Sequence, residues 1–190
     1  MVKMPALVDA SMGELPDTLG QPGKTGFLNR GNGMSIPVHA LFAADASQVP
    51  AGCFFTTGDE WYLSVNANNG NEGGSSAILL TGEGAGGFVS NPYGTATYIS
   101  GDYSVDLRAD SVAGVVTGDG PWIPTLMLGS RLTIFCKQFG SDRLFTIDGQ
   151  PSEGGGVAYD RRRFTKWQGW MVDKHGRTMG NEPLFTVEAR

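Results

Sequence analysis

The stretch RLTIFCKQFGSDRLFTID, residues 131–148, decides the fold class because it reads as two apolar strands joined by a tight reversal. Its two halves, RLTIFCKQF (131–139) and RLFTID (143–148), are rich in β-branched and aromatic residues. The GSD tripeptide at 140–142 makes a connection of hairpin length between them. A link this short cannot form a parallel crossover, so we expect an antiparallel pair.

The same pattern of short apolar runs and turn residues continues through the chain from Ile36 onward. In YSVDLRA (103–109), apolar and polar side chains alternate, which predicts a half-buried strand with Tyr103, Val105 and Leu107 on one face. Glycine fills 29 of 190 positions, about twice its average usage of roughly 7%, and therefore indicates frequent turns. The other predicted strands are IPVHALFAA (36–44), CFFTT (53–57), WYLSVNA (61–67), AILLT (77–81), FVSN (88–91), TATYIS (95–100), AGVVTG (113–118), FTKWQGWMVD (164–173) and PLFTVEA (183–189).

These strands predict an all-β fold: an antiparallel β-sandwich, jelly roll or barrel with an extended N-terminal arm. Residues 1–35 carry no apolar periodicity, and Pro5, Pro16 and Pro22 interrupt them, so we expect an arm that cannot fold alone. Residues 36–190 form the single predicted β-rich domain. Two hypotheses stay open for the arm: it lies along its own domain, or it lies on neighbouring subunits.

Composition excludes several functional classes. The net charge of −5 argues against binding to nucleic acid, which depends on clustered lysine and arginine. No run of 18 apolar residues and no hydrophobic signal region is present, so we expect no membrane association and synthesis in the cytoplasm. The charged fraction of only 17% suits a protein whose faces are partly covered by neighbours. Cys53 and Cys136 lie in apolar runs, where we expect buried thiols rather than a disulfide.

The segment GEGAGG (82–87) matches the G-x-G-x-x-G pattern of dinucleotide-binding loops. That pattern binds a cofactor only when a helix begins at the glycines, because the helix N-terminus holds the pyrophosphate. Here the continuation FVSNPYGTATYIS is β-branched, aromatic and interrupted by Pro92. We therefore predict a connection between strands and no cofactor.

No catalytic or metal-binding constellation stands out. The loop VNANNGNEGG (65–74) contains one carboxylate, too few for calcium, and reads as a solvated hairpin tip. His39 and His175 lie far apart and outside metal-ligand spacing. The aspartates that recur between 102 and 119 are explained by strand and turn positions exposed to solvent: Asp102, Asp106, Asp110 and Asp119. We expect a protein that is not an enzyme and has no catalytic or metal-binding residues.

One basic and aromatic cluster lies in DRRRFTKWQGWMVDKHGR (160–177). Tryptophan and arginine are enriched at protein interfaces, so we predict contact with another protein. A structural strand with exposed arginines, or a surface for glycan or nucleic acid, are the alternatives. The interface candidates are Arg161, Arg162, Arg163, Lys166, Trp167 and Trp170.

The arm, the all-β body, the low charge and the absence of an active-site motif together resemble, in overall type, the structural proteins of bacteriophage virions. That group includes capsid decoration or cement proteins, head fibres and tail components. The resemblance implies a homo-oligomeric virion protein whose partners are copies of itself and other virion proteins. The alternative is a carbohydrate- or receptor-binding β module with sugar-stacking faces on its tryptophans: Trp61, Trp122, Trp167 and Trp170. Exposed coplanar rings would favour that alternative, and buried rings would favour assembly.

Overall fold

A computed structural model describes residues 27–30, 34–67, 75–109, 124–129, 131–152 and 162–188. In these ranges the chain is all-β, as the sequence predicts, and its strand ladders are antiparallel. The strands in chain order are β1 (Phe27–Arg30), β2 (Met34–Pro37), β3 (Leu41–Asp45), β4 (Phe54–Thr57), β5 (Glu60–Asn66), β6 (Ser75–Leu79), β7 (Phe88–Ser90), β8 (Thr95–Ile99), β9 (Tyr103–Ala109), β10 (Thr125–Leu128), β11 (Leu132–Gln138), β12 (Ser141–Thr146), β13 (Arg162–Phe164), β14 (Lys166–Asp173) and β15 (Phe185–Glu188). Two 3-10 helices, Val38–Ala40 and Ala46–Gln48, flank β3.

The described strands form four sheets. The largest has six strands in the order β3-β8-β4-β5-β6-β7. A second has four strands, β12-β11-β10-β13, and a third has three, β15-β14-β9. Among the strands that the structure describes, β1 and β2 pair only with each other, and their hairpin crosses the predicted boundary between arm and domain at residue 35. The rest of the predicted arm, residues 1–26 and 31–33, lies outside the described residues.

The hairpin predicted from residues 131–148 is confirmed as β11 and β12. Gln138 pairs with Ser141, so the reversal falls on Phe139 and Gly140, slightly before the predicted tripeptide. Both turn residues have positive φ, 48° and 80°, as a two-residue type I′ turn requires. Strand β9 likewise has the predicted bounds, and the side chains of Tyr103, Val105 and Leu107 pack against the core.

Other predicted strands need correction. FTKWQGWMVD (164–173) is not one strand, because the chain leaves the four-stranded sheet after Phe164 and enters the three-stranded sheet at Lys166. IPVHALFAA (36–44) is interrupted by the 3-10 helix at Val38–Ala40. Strand β10, with the sequence TLML, was not predicted, and the predicted strand AGVVTG (113–118) lies outside the described residues.

The main core lies between the three larger sheets, and aromatic contacts centred on Phe185 hold it together. The Phe185 ring centroid lies 5.0 Å from that of Trp61 and 5.8 Å from that of Phe54, both on the six-stranded sheet. It also meets the edge of Trp167, on the neighbouring strand β14, at 6.0 Å. A residue on the three-stranded sheet therefore packs directly against the largest sheet.

The two cysteines lie in different parts of the core. Cys136 is fully buried in the main core, as predicted. Cys53 is half-buried against a second apolar cluster, which is centred on Phe55 and also contains Val49. Both are free thiols. Within the described ranges, no helix has the length and apolar character needed to cross a lipid bilayer.

Candidate interaction surface

Strand β14 divides the predicted aromatic cluster between two faces. Trp167 and Trp170 are three positions apart, and successive side chains of a strand point to opposite faces, so these two rings point in opposite directions. Trp167 has no exposed surface, and its indole N–H donates to the backbone carbonyl oxygen of Pro124 at 3.3 Å. Trp167 therefore belongs to the core, and its ring is not available to a partner, contrary to the role that the sequence suggested for it.

Trp170 lies half-exposed on the outer face of the three-stranded sheet. The guanidinium carbon of Arg108, on the neighbouring strand β9, lies 5.0 Å from its ring centroid, within the range of a cation–π contact. The indole N–H donates to Gln168 Oε1 at 2.9 Å. Two contacts thus fix the orientation of the ring.

Arg108 is itself held in position by two further contacts. Its Nε donates to Asp106 Oδ2 at 2.8 Å, and a terminal guanidinium nitrogen donates to Thr178 Oγ1 at 2.6 Å. The antiparallel register explains the arrangement, because Trp170 lies opposite Asp106 and Gln168 lies opposite Arg108. A surface whose charged side chain is already fixed loses less side-chain entropy when a partner binds.

Lys166 lies further along the same strand face and pairs with Glu188 of β15 at 2.6 Å. The hydrogen bond from Lys166 lowers the pKa of the Glu188 carboxyl below its usual value. We name the surface formed by Asp106, Arg108, Lys166, Gln168 and Trp170 the Trp170 face. It combines one aromatic ring with basic and acidic groups that already pair with each other.

The predicted arginines are not gathered on this face. Arg163 is half-buried on β13, a strand of the four-stranded sheet, where it lies opposite Met127. Arg162 lies on the same strand opposite Leu128, and Arg161 is outside the described residues. Of the six interface candidates, Lys166 and Trp170 therefore share the Trp170 face. Sequence reasoning missed Arg108 and Gln168 because their contacts with Trp170 depend on strand register and side-chain placement.

The tryptophans do not form the platform that a sugar-binding module would need. Trp61 and Trp167 are buried in the core. Trp122 lies outside the described residues, which leaves Trp170 as the one described tryptophan with a partly exposed ring. A row of exposed coplanar indoles is absent from the described part of the chain.

The glycine-rich segment 82–87 connects strands β6 and β7, as predicted. Gly82 and Gly86 adopt positive φ of 92° and 88°, which glycine tolerates without strain. The backbone carbonyl of Gly86 accepts a hydrogen bond from the N–H of Lys137 at 3.0 Å, so the loop joins the six-stranded sheet to β11. A strand follows the glycines, and the helix N-terminus of a dinucleotide site is not formed.

The remaining polar candidates have structural partners. His39 Nε2 lies 2.8 Å from the Tyr103 hydroxyl, and Lys174 pairs with Asp102 at 3.2 Å. Asp173 accepts hydrogen bonds from the backbone N–H groups of Arg177 and His175, both at 2.9 Å. The bond from the Arg177 backbone is the main reason why the pKa of Asp173 falls to about 2.

Across the described ranges, no group of three or more histidine, cysteine, aspartate or glutamate side chains could hold a metal ion. Asp110, Asp119 and residues 68–74 of the predicted hairpin tip lie outside those ranges. No family model, curated protein or solved structure matches this chain.

Proposed function

We propose that the protein is a non-enzymatic structural component of a viral particle of the bacteriophage type. It binds copies of itself and other virion proteins, as decoration, cement or accessory subunits do. The Trp170 face is one of its contact surfaces. The observation that carries this proposal is the Trp170 ring stacked against Arg108 on the outer face of a sheet.

Tryptophan and arginine are the side chains most often found as interface hot spots, where truncation costs about 2 kcal/mol or more. Here both side chains are fixed before binding, since Gln168 holds the indole and Asp106 and Thr178 hold the guanidinium. A partner can thus cover the ring without first ordering it. This supports a binding role for the face.

The acidic groups with lowered pKa have structural roles that need no substrate. The carboxylate of Asp45 accepts hydrogen bonds from Ser47, that of Asp173 closes a turn, and that of Glu188 pairs with Lys166. Their pKa values are lowered rather than raised, whereas a general acid working near neutral pH needs a raised value. These three carboxylates therefore act within the fold, where they hold turns and strands together.

Sedimentation velocity over a range of concentrations tests the role of the face. We expect Trp170→Ala to weaken association at least tenfold, because the hot-spot ring is removed. Tyr93→Ala is the matched control, since it deletes another exposed aromatic ring outside the Trp170 face. Equal association by the two variants would contradict the proposed contact.

Quantitative mass spectrometry of purified particles tests the virion assignment separately. We expect the chain in a fixed ratio to the main particle proteins. Its absence from intact particles would overturn the assignment.

A further inference from the structure

Strand β3 forms one edge of the six-stranded sheet, and its outward hydrogen-bonding groups can be identified from the register. The ladder with β8 runs from Leu41 opposite Ile99 to Asp45 opposite Thr95. At its two ends, Ser100 N–H donates to the Ala40 carbonyl, and Ala46 N–H donates to the Gly94 carbonyl. In both pairs the residue next to β3 has an even number, Ala40 at one end and Ala46 at the other.

Hydrogen-bonded pairs alternate along an antiparallel ladder, so the even residues of β3 point their backbone groups at β8. The odd residues Leu41, Ala43 and Asp45 therefore point their backbone groups away from β8. The N–H of Leu41 already donates to the Val38 carbonyl at the end of the first 3-10 helix, so the outward groups left for a partner are the C=O of Leu41 and the N–H and C=O of Ala43 and Asp45. Among the strands that the structure describes, none pairs with that side of β3. These outward groups form a short template for an added strand.

The other edges of the three larger sheets carry features that oppose strand addition. Strands β7 and β13 have three residues each, β9 carries Asp106 and Arg108, and β15 ends at Glu188. The edge of β12 is covered, because Phe145 forms a bridge with Pro151 and Ser152 N–H bonds to the Leu144 carbonyl. Short length, charge and coverage are recognised ways of protecting an edge.

Strand β3 carries no charge over its first four residues, LFAA, and the 3-10 helix before it occupies the outward N–H of Leu41. Phe42 is 42% exposed and Ala43 is exposed, and Val38 just before the strand is 43% exposed. The single charge, on Asp45, is directed to Ser47 of its own chain, whose N–H and hydroxyl donate to the carboxylate at 2.9 and 2.7 Å. This edge is therefore mostly apolar, and no other strand in the described ranges pairs with its outer side.

We propose that β3 pairs with β3 of a second copy of this chain, antiparallel about a two-fold axis at Ala43. In this register Ala43 lies opposite Ala43 and Leu41 opposite Asp45, so the N–H groups of Ala43 and Asp45 in the two copies make roughly four hydrogen bonds. The two six-stranded sheets become one continuous sheet. Phe42 of the other copy lies opposite Ala44 on the same face of the sheet, and the small side chain of Ala44 leaves room for its ring.

Charge favours a second copy over a charged peptide as the occupant. The two Asp45 carboxylates lie four residues apart along the seam, about 14 Å, which exceeds the Debye length of roughly 8 Å at physiological salt. Pairing of two copies thus brings no like charges close together. A charged peptide would find no row of opposite charges along this edge. An isologous pair also uses the same backbone groups on both copies.

A seam of five residues is small, and interfaces of this size give weak association on their own. When many such contacts form in one particle, they act together and the overall affinity is much higher than that of a single seam. The inference rests on the self-association included in the proposed function. It adds a second contact between copies, at an edge distinct from the Trp170 face.

Cross-linking at the two-fold axis tests the seam. In a Cys53→Ser background, where the half-buried native thiol is removed and Cys136 stays buried, Ala43→Cys is treated with a short bismaleimide. We expect a covalent dimer, because the two introduced thiols face each other. Ser141→Cys, at an exposed position on the edge strand β12, is the matched control and should give no covalent dimer.

A second variant measures the same seam without cross-linking. Ala43→Lys places a charge at the centre of the edge, so we expect at least a tenfold loss of self-association with no change in melting temperature. Ser141→Lys adds the same charge on another edge and should associate like the unmodified chain.

The outcomes separate the two proposals. Equal cross-linking at positions 43 and 141, or unchanged association of Ala43→Lys, would overturn the β3 seam. If Trp170→Ala alone then weakened association, the Trp170 face would stand without the seam. Cross-linking at position 43 alone, with Trp170→Ala behaving like its control, would support the seam and contradict the role of the face.

Discussion

Gly169 provides the space that Phe185 occupies on the neighbouring strand. The two residues lie opposite each other in the β14–β15 ladder, and a Cβ atom on Gly169 would overlap the Phe185 ring. Because Phe185 also contacts Phe54 and Trp61, the missing side chain at 169 allows the three-stranded sheet to pack against the six-stranded sheet.

Gly169→Ala should therefore lower the free energy of unfolding by about 1–3 kcal/mol, as is usual when a core is overpacked. Urea denaturation measures the change. Combining Gly169→Ala with Phe185→Leu is the control, because a smaller side chain at 185 relieves the overlap. If the double variant lost as much stability as the two single variants together, the Phe185 ring would not be what occupies the space at Gly169.

The backbone conformation of Phe139 should lower the stability of the folded protein. It adopts a φ of 48° in the β11–β12 turn, 85% exposed, at a position where asparagine is favoured. We expect Phe139→Asn to raise the free energy of unfolding by about 1 kcal/mol, since non-glycine residues other than asparagine and aspartate are strained at positive φ. Thermal or urea unfolding measures it. A lower stability would mean that the contact with the Phe88 ring, at 6.4 Å, outweighs the strain.

The two thiols should differ in reactivity. Burial raises the pKa of Cys136 to about 12 and also raises that of the half-buried Cys53. The thiolate is the reactive form, so a thiol reagent at pH 8 should modify Cys53 slowly and Cys136 only after unfolding. Counting modified thiols by mass spectrometry checks this. Cys53→Ser should leave the folded protein unmodified, and rapid labelling of that variant would contradict the burial of Cys136.

The turn closed by Asp173 should resist acid to an unusual degree. Its pKa is lowered to about 2, mainly by the hydrogen bond from the Arg177 backbone, and an unperturbed aspartate has a pKa of about 3.9. Because the folded-state pKa is the lower one, the stabilisation is fully present above about pH 4 and is lost as the pH falls through about 2. An NMR titration of the Asp173 carboxyl carbon should show a midpoint near 2. A midpoint near 4 would mean that the backbone bonds do not form in solution.

Sequence reasoning recovered the elements whose partners are close in the chain. The hairpin at 131–148 and the alternation in YSVDLRA depend on local turn chemistry and period-two patterning, and both are seen in the structure. The change of sheet at Thr165 could not be predicted from the sequence. It depends on the distant strands with which β13 and β14 pair, which are β10 and β9. Local sequence carries little information about such partners.

Part of the Trp170 face could be predicted from the sequence. The odd spacing between Trp167 and Trp170 already implies opposite faces on a strand, although it does not say which face is buried. The stacking of Arg108 on Trp170 depends on the register of β9 against β14, across a separation of about sixty residues. That contact has no local signal in the sequence.

The mass of the protein in solution tests the assembly role most directly. Sedimentation equilibrium would compare the full chain, 20.1 kDa per copy, with a chain lacking residues 1–26, a deletion that spares the β1–β2 hairpin. We predict a full-length mass well above that of one copy and a lower average mass for the shortened chain at equal concentration. A full-length chain that stays at 20.1 kDa at every concentration, with the shortened chain likewise at the mass of one copy, would contradict self-assembly through the arm, the Trp170 face and the β3 edge.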